Sequence, residues 1–516
     1  MSRNSLLTLV SCVLLTVVAG CGSSKMSSPA QPTSTIVSSS VASTGNTQVA
    51  SYSVTLSQPG NVSVEFGPDT SYGFSTSQQH TPATGSLSVN ILVAGMKAKT
   101  TYHMRAKVEL DNGTTATDKD QTFTTGDLPA NVLPNFTVST TSGLTPQPGV
   151  ELVDAIAQPP HQVPFATDLE GNVLWTYDPP ETSNQATLIY PLKLLPNGHF
   201  MAIIGPNYAD VTTTLDRSWP DLIREFDLAG NTIRQLTMDD LNAKLASPPF
   251  NITLQVFSHD FTELPNGHIL VICNTIQSGV LGDVVVDLDQ NLNPVWLWNE
   301  FDHFDVNRHP MNFPDWTHSN AIAYSPDDGN FLVSIRHQNW IVKVDYRDGA
   351  GTGNVLWRLG QGGDFKLQGA VDPDDWFYAQ HDANFVSSNT TGSFKLAIMD
   401  NGDNRLFSSG LICGAAGAPA CYTTVDVMQV DENAKTASFL FHDKIPPSEY
   451  SFFAGSTRVL PNTNIEYNLA GLEPTSSDTV EVTPTDNPQT VWEMKITNAN
   501  TYRSFRLPSL YPGVQW

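Results

Sequence analysis

A unit that recurs about every 60 residues constrains the fold of this chain more than any other feature of its sequence. Its marker is an Asp-x-x-Gly-Asn turn, or a looser version of it, followed by an apolar pair and often by Trp. Four copies occur as TDLEGNVLWTY, FDLAGNTIRQL, VDLDQNLNPVWLW and VDYRDGAGTGNVLWRLG, at Asp168, Asp227, Asp287 and Asp345. These positions lie 59, 60 and 58 residues apart, and looser copies occur at VDENAKTASFLF and TVWEMKI.

A second marker recurs at an equivalent position in each unit. Together the two markers divide the unit into strands separated by turns. The second marker reads LPNGH at Leu195 and Leu264, SPDDGNFLVS at Ser325 and LPNTNIEYNL at Leu460. Four strands per period of about 60 are typical of propeller blades, and roughly 365 residues contain six such periods. A single blade leaves its own faces bare, so the ring must close to bury a core. We predict a six-bladed β-propeller over residues 149–516; the alternative is a stacked β-solenoid, whose repeats are usually shorter.

The first 50 residues have the pattern of an exported, lipid-anchored protein. Arg3 precedes a short apolar core that ends in VAGC, which is similar to a lipoprotein cleavage site at Cys21. We expect residues 1–21 to be the signal peptide, with the lipid on Cys21, and residues 22–50 to be a Ser/Thr-rich flexible tether. The predicted location is the bacterial cell envelope, with membrane contact only through the anchor. The alternative is an ordinary signal peptide that contains a cysteine.

Residues 51–128 predict a small β-sandwich before the propeller. YSVTLSQPGNVSVEFG alternates apolar and polar residues around a Pro-Gly turn, and later segments repeat that alternation up to DQTFTTG. The region resembles a fibronectin type III or Ig-like module, with Tyr102 as the candidate for a tyrosine corner. A Pro-punctuated connector over about 127–148 leads to the repeats. The chain as a whole is therefore predicted to be all-β.

Composition and charge exclude some classes of function. Charged residues make up 15%, while Gly and Pro number 35 each, which favours short strands and turns. The formal net charge of -25 argues against nucleic-acid partners, because phosphate backbones need a basic surface. It does not exclude a small anionic substrate, since a few cations in a cleft set the local potential. No phosphate-cradling G-x-x-x-x-G-K segment is present, so a nucleotide donor is not expected.

The cysteines fit an oxidising compartment. Cys413 and Cys421 flank a Gly/Ala/Pro loop and are candidates for a local disulfide. Cys273 lies in the apolar run HILVICNTI and is expected to be a buried, inert thiol. The sequence has no C-x-x-C pair, so no structural zinc site is expected.

Three histidines occupy the same phase of successive repeats, at the entry to a strand: His259, His318 and His381. Equivalent positions of a propeller converge on its axis, so these side chains can meet at one site. Converging imidazoles suit either a metal ion or a nucleophile with an anion clamp. Arg336, next to His337, favours the second chemistry because a fixed cation repels metals and attracts anions. The alternative is that the histidines only cap strands.

Four segments resemble the bacterial arylsulfate sulfotransferases. They are Trp-x-His-x-Asn at Trp316, His318 and Asn320 with the downstream VSIRHQ, QHDANF with MDNGDNR, SHDFTELPNGH, and GSTRVLPNTN. Members of that family carry a small β-domain before a six-bladed propeller, which agrees with the repeats and with the N-terminal region of this chain.

The resemblance implies the roles of individual residues. His381 would be the nucleophile that becomes sulfohistidine, with His337 in a supporting role. His259, His318 and Arg336 would bind the sulfuryl oxygens, with one of the two histidines protonated. Asn320 and Thr457 would contact the substrate or orient the site.

The implied activity is transfer of a sulfuryl group from an aryl sulfate to a phenol by a ping-pong mechanism, without a cofactor, a metal or a nucleotide sulfate. Three alternatives remain open at this point. They are a non-catalytic propeller lipoprotein that binds partners, a metal- or quinone-dependent oxidoreductase, and a sulfatase-like hydrolase.

Overall fold

The computed structural model describes residues 34–82, 84–156, 162–179, 188–205, 221–311 and 313–516. Strands form most of the regular structure, and α1 (Met238–Leu245) is the one α-helix in these ranges. The predicted all-β class is therefore confirmed. No helix in the described ranges has the length and apolarity needed to span a membrane. The predicted signal peptide, Cys21 and the first part of the predicted tether lie outside the described residues.

Two antiparallel sheets form the N-terminal part. Their strands are β1 (Ile36–Ser43), β2 (Ala50–Leu56), β3 (Gly60–Gly67), β4 (Phe74–Ser75), β5 (Gln79–His80), β6 (Ser88–Val93), β7 (Thr101–Leu110), β8 (Thr115–Thr117) and β9 (Gln121–Thr124). One sheet has the order β1-β2-β6; the other has the order β4-β3-β7-β8, with β5 on β3 and β9 on β7. Alternate side chains of both sheets share one core. The Tyr102 hydroxyl accepts a hydrogen bond from the Lys97 N–H at 3.0 Å, as in a tyrosine corner.

Part of the predicted tether is a strand, so the prediction of a flexible segment up to residue 50 is wrong for β1. This strand pairs along its length with β2. Ile36 and Val41 pack against the core, while Val37, Ser38 and Ser40 between them are exposed and Ser39 is half-buried. The prediction of flexibility relied on the serine content of this segment. It overlooked the two apolar side chains that pack β1 against the core.

The remaining strands form antiparallel sheets that follow one another along the chain. These strands are β10 (Asn135–Thr140), β11 (Val150–Ile156), β12 (Phe165–Thr167), β13 (Val173–Thr176), β14 (Leu188–Leu194), β15 (Phe200–Gly205), β16 (Leu222–Phe226), β17 (Thr232–Thr237), β18 (Leu254–Glu263), β19 (Ile269–Gln277), β20 (Val280–Leu288), β21 (Pro294–Asn299), β22 (Ser319–Tyr324), β23 (Phe331–Ile335), β24 (Trp340–Val344), β25 (Val355–Leu359), β26 (Lys366–Gln368), β27 (His381–Phe385), β28 (Ser393–Asp400), β29 (Thr424–Asp431), β30 (Thr436–Lys444), β31 (Ser456–Val459), β32 (Ile465–Leu472), β33 (Ser476–Val482), β34 (Thr490–Thr497) and β35 (Asn500–Leu507).

Most of these strands fall into groups of four, and the first and last strands of the region meet in one of these groups. Five groups are consecutive: β14 to β17, β18 to β21, β22 to β25, β27 to β30, and β31 to β34. The sixth is β35-β11-β12-β13, which joins the last strand to the first ones. A single pairing between β11 and β14 links the sixth group to β14 to β17 in one sheet, and β26 adds to β30. Strand β10 lies in the predicted connector and pairs with β34, so part of that connector is ordered sheet.

The repeated Asp marker is a tight turn between two strands. The Asp168 carboxylate accepts the N–H of Asn172 at 2.7 Å, and Gly171 between them has φ 85°, a conformation that glycine adopts without steric cost. In the third copy the turn begins at Asp289, which accepts two backbone N–H groups at 2.8 Å. The sequence analysis placed the start of this turn at Asp287, which is two residues before its true start.

The repeated Trp connects neighbouring groups. The Trp175 indole N–H donates to the carbonyl of Leu228, in the Asp turn of the next group, at 2.8 Å. The Trp492 indole N–H donates to the carbonyl of Leu169, in the Asp turn of the first copy, at 2.9 Å. Strands β14, β18, β22, β27, β31 and β35 each pack against the next, and β35 packs against β14. The strands that contain or directly follow the candidate histidines, β18, β22 and β27, are therefore neighbours.

The C-terminal tail holds the N-terminal sheets against the rest of the chain. The Trp516 indole N–H donates to the carbonyl of Ser75 at 3.0 Å, and its ring packs edge-on against Phe66. The Tyr511 hydroxyl donates to the carbonyl of Leu92 at 2.8 Å. These contacts give the two parts a shared apolar interface.

The cysteines within the described ranges have distinct states. Cys413 and Cys421 form a disulfide. Cys273 is free and buried, as predicted. The Cys413 N–H donates to the carbonyl of Arg405 at 2.9 Å, which attaches the disulfide loop to the segment that follows β28.

Candidate active site

The three phased histidines lie where their strands are irregular. His259 is inside β18, His318 directly precedes β22, and His381 is the first residue of β27. The pairing register of each strand shifts at or just after its histidine. His259 and His318 have positive φ angles of 27° and 52°, which are uncommon for residues other than glycine. Because a β-bulge re-aims side chains, these irregularities turn the imidazoles away from the sheets.

The imidazoles gather around one centre. The ring centroids of His259 and His318 are 4.4 Å apart, and those of His318 and His337 are 4.5 Å apart. The Tyr502 ring lies 6.0 Å from His259 and 6.3 Å from His381, so it fills the space between them. Residues about 60 positions apart along the chain thereby form one site.

Arg336 supplies the guanidinium of this site. Its Nη1 lies 2.7 Å from His337 Nε2, and its Nη2 donates to Asp403 at 2.9 Å and to the carbonyl of Phe452 at 3.0 Å. Its Nε–H is buried and has no hydrogen-bond partner among the described residues. A buried donor without a partner is costly, so this N–H is suited to an oxygen of a bound anion.

The hydrogen bonds around His381 define which ring nitrogen carries its proton. The Asn401 amide nitrogen donates to the carbonyls of Ser451 at 2.9 Å and Ala454 at 3.1 Å. Its oxygen therefore faces His381 Nδ1, at 2.6 Å, and can only accept. His381 then holds its proton on Nδ1, and its Nε2 lone pair accepts one long hydrogen bond, from the Ala454 N–H at 3.3 Å. That lone pair makes His381 a candidate nucleophile.

His318 has a carboxylate partner that the sequence analysis did not select. His318 Nδ1 lies 2.6 Å from Asp315 Oδ2. Burial raises the pKa of Asp315 to about 7. Two further buried acids, Asp283 and Glu300, have pKa values well above their ordinary range, chiefly because of burial. No hydrogen bond from the described part of the chain reaches His318 Nε2, so this nitrogen is available for proton transfer.

Burial keeps the histidines neutral in the free site. It is the largest cause of the lowered pKa of His259, His318 and His381, and Arg336 lowers all three further. These shifts favour the neutral form of His259 and His318 in the free site, and the role of one protonated histidine stays a prediction. The physical reason for the shifts is that an imidazolium would be desolvated beside a fixed guanidinium.

Asn320 and Thr457, predicted to contact substrate, contact the protein itself. The Asn320 amide nitrogen donates to the carbonyl of Gln380, directly before His381, at 2.7 Å. The Thr457 hydroxyl lies 3.9 Å from the Met399 sulfur. Both residues are buried, and these contacts place them beside the strand of His381.

Asp315, His318 and His337 also offer ligand atoms within 4.8 Å of one another, the geometry of a candidate metal site. Both ring nitrogens of His337 are engaged, however, since Nδ1 lies 2.6 Å from the Asp315 carbonyl and Nε2 meets Arg336. A guanidinium in this position disfavours a divalent cation.

Sequence reasoning missed several residues of the site. Asn401 and Asp403 belong to MDNGDNR, where polar residues directly follow an apolar strand, which was a usable signal. Asp315 lies three residues before His318 in the same polar segment. Tyr502 gave no signal, because it lies in the last strand and reaches the centre only through the pairing of β35 with β11.

Comparison with known proteins gives one family. The family model described as Arylsulfotransferase (ASST) matches residues 137–506. No curated protein sequence matches this chain at a significant level.

Solved structures give only distant likenesses. TolB from Acinetobacter baumannii has 11% identity and a TM-score of 0.37, over 80% of this chain and 81% of that one. A putative 6-phosphogluconolactonase from Bacteroides fragilis has 9% identity and a TM-score of 0.36, over 87% and 98%. Kuenenia stuttgartiensis hydrazine synthase has 10% identity and a TM-score of 0.33, over 66% and 79%. None of the three indicates an activity for this chain.

Proposed function

Because the chain belongs to the arylsulfotransferase family, we propose that it transfers a sulfuryl group from an aryl sulfate to a phenol through a sulfohistidine at His381. The observation that carries the proposal is the pairing of two features in one buried centre. They are the Nε2 lone pair of His381, fixed by Asn401, and the unpartnered Nε–H of Arg336.

In the first half-reaction, the His381 Nε2 lone pair attacks sulfur. An N–S bond forms and the bond from sulfur to the aryl oxygen breaks, with its electron pair leaving on the phenolate. Transfer of this kind depends mainly on positioning and on stabilising charge over the peripheral oxygens, by analogy with phosphoryl transfer. Arg336 is the fixed cation for those oxygens.

In the second half-reaction, His318 is the base. Its Nε2 takes the proton of the acceptor phenol while the phenol oxygen attacks sulfur, and the N–S pair returns to His381. The imidazolium formed on His318 is stabilised by Asp315 at 2.6 Å. Asp315 serves this role when ionised, because a carboxylate accepts from Nδ1–H and leaves Nε2 with its lone pair.

We further infer that the six groups of four strands are the blades of a six-bladed propeller, with the N-terminal sheets as a sandwich of fibronectin type III kind. The contacts from β14 around to β35 and the Trp492 contact to the first Asp turn support a closed ring. The Tyr102 hydrogen bond supports the sandwich type.

Export and lipid anchoring at Cys21 remain part of the proposal. The disulfide between Cys413 and Cys421 supports an oxidising compartment such as the cell envelope.

Turnover of 4-nitrophenyl sulfate with and without added phenol tests the proposed reaction. Nitrophenol release that rises strongly with phenol, together with formation of phenyl sulfate, is the expected result. Release that is equal with and without phenol would make the protein a hydrolase, and no release from folded protein would favour a binding protein.

The proposed chemistry predicts an unusual pH dependence for the first half-reaction. His381 must be neutral to attack, and burial and Arg336 hold its pKa well below the ordinary value of 6.5. The nitrophenol burst should therefore stay constant as the pH falls through 6.5 and decline only well below it. The measurement is a rapid-quench burst over pH 4 to 8, which reaches about 2.5 units below the ordinary pKa and about 1.5 units above it.

Asn401→Asp provides a matched test of this pH dependence. A carboxylate facing His381 Nδ1 favours the imidazolium and should move the decline upward by about one pH unit or more. Asn468→Asp is the control, since Asn468 is buried on β32 and its side chain bonds to Thr479 and Thr501. A wild-type decline at or above pH 6.5, or equal profiles for Asn401→Asp and wild type, would contradict the assignment of His381.

A further inference from the structure

One buried guanidinium contacts the strand that carries His318. Arg503 lies on β35, is 1% exposed, and donates from Nη2 to the carbonyl of Asn320 at 2.6 Å. Asn320 is two residues after His318 on β22. Neighbouring Tyr502 donates from its hydroxyl to the same carbonyl at 3.3 Å. The last strand of the chain therefore holds the backbone beside His318 at the centre of the site.

The same guanidinium reaches the strands of the other two histidines. Arg503 Nη1 lies 3.2 Å from Asp260, and its Nε lies 3.5 Å from Asp382. These carboxylates directly follow His259 and His381 in the sequence. Arg503 thus touches a residue within two positions of each phased histidine.

Both carboxylates also join their strands to the next one. Asp260 accepts the N–H of Ile322 on β22 at 3.0 Å, and Asp382 accepts the N–H of Thr457 on β31 at 3.2 Å. A displacement of either carboxylate would therefore shift a histidine relative to its neighbour.

Neutralising Asp260 and Asp382 does not by itself account for the presence of Arg503, because each carboxylate has another cation. Asp260 has a second cation in Lys193, at 2.5 Å, and Asp382 has one in Arg458, which binds both of its oxygens. Each of these cations serves one carboxylate. Among the cations of the described residues, Arg503 is the one whose side chain contacts all three segments that carry the histidines, as the uncharged Tyr502 ring also does.

We propose that Arg503 is a positioning residue, which holds His259, His318 and His381 in their mutual geometry for sulfuryl transfer. The inference rests on the proposed function for its catalytic consequence. An in-line displacement is sensitive to misplacement, since an error of about 1 Å in the reacting groups costs about 10²-fold in rate. Arg336 still binds the anion when Arg503 is changed, so substrate affinity should be nearly retained.

Arg503→Lys is the deciding variant, because lysine keeps the charge but has one compact donor in place of a planar fork. We expect kcat for 4-nitrophenyl sulfate and phenol to fall about 10²-fold, with KM for the aryl sulfate within about threefold. Arg458→Met and Lys193→Met are matched controls, each removing a cation from one carboxylate, and should lose less than about tenfold in kcat. A folded Arg503→Lys enzyme with kcat within about threefold of wild type, or controls that lose as much, would overturn the proposal.

A second readout separates this proposal from the proposed function. The ¹⁵N resonances of the histidine rings report tautomer and pKa without any turnover. Arg503→Lys should shift those of His259, His318 and His381 and leave exposed His80 unchanged, even if the wild type turns over no aryl sulfate. Unchanged resonances would refute positioning, and a variant without native circular dichroism would assign Arg503 to fold stability alone.

Discussion

Replacing His381 with alanine is expected to lower the turnover of an aryl sulfate with a phenol acceptor by at least about 10³-fold. The variant lacks the nitrogen that forms the N–S bond, and direct attack by the phenol would need a different approach to sulfur. Steady-state assays with 4-nitrophenyl sulfate measure the loss. Intact-mass analysis after mixing with donor alone should show one added SO₃ group on wild type and none on the variant, and peptide mapping should place the group on His381.

A second histidine variant controls for the loss of an imidazole as such. His268 lies in an LPNGH turn and pairs with Asp287, away from the histidine cluster. His268→Ala should keep activity within about threefold of wild type and still carry the added SO₃ group. Labelling of His381→Ala, or activity within about tenfold of wild type, would remove His381 from the covalent role.

The repeat pattern predicted most of what surrounds the site, because one period organises both strands and turns. The Asp turn at Asp168 lies between two strands, as the repeated marker indicated, whereas the contact of Trp175 with the following turn is known only from the structure. The alignment failed at Asp287, because the true turn at Asp289 uses Leu292 with φ 58° where other copies have glycine. A pattern based on glycine cannot locate a turn whose left-handed position carries another residue.

Only those residues of the site that recur at the same position of the repeat could be predicted from the sequence. His259, His318 and His381 share one phase, so their convergence could be expected from the sequence. Asn401, which fixes the proton of His381, comes from the far end of β28 and has no counterpart in that phase. Arg503 is still less accessible, because β35 reaches the centre only when the chain ends meet. A contact that forms only when distant ends of the chain pair has no repeated sequence pattern from which it could be predicted.

Replacing Arg336 with methionine is expected to lower kcat/KM for aryl sulfate roughly 30- to 900-fold. This loss corresponds to about 2–4 kcal/mol of transition-state stabilisation. The guanidinium is the fixed positive charge that faces the sulfuryl oxygens in the proposed complex, and its Nε–H is an unused donor. Arg308→Met is the matched control. Arg308 packs on Trp340 at 3.7 Å and bonds to Gln338, without a described contact to the phased histidines, so its loss should change kcat/KM by less than about tenfold.

The same substitution should also move the pH dependence, which separates charge from packing. Arg336 lowers the pKa of His259, His318 and His381, so its removal should raise the pH at which the nitrophenol burst declines. It also leaves the half-buried Asp403 without its ion pair, a cost that is unrelated to substrate. Adding Asp403→Asn should restore thermal stability but not kcat/KM. If the double variant regains wild-type kcat/KM, Arg336 serves only to neutralise Asp403, and the anion must be bound by other groups.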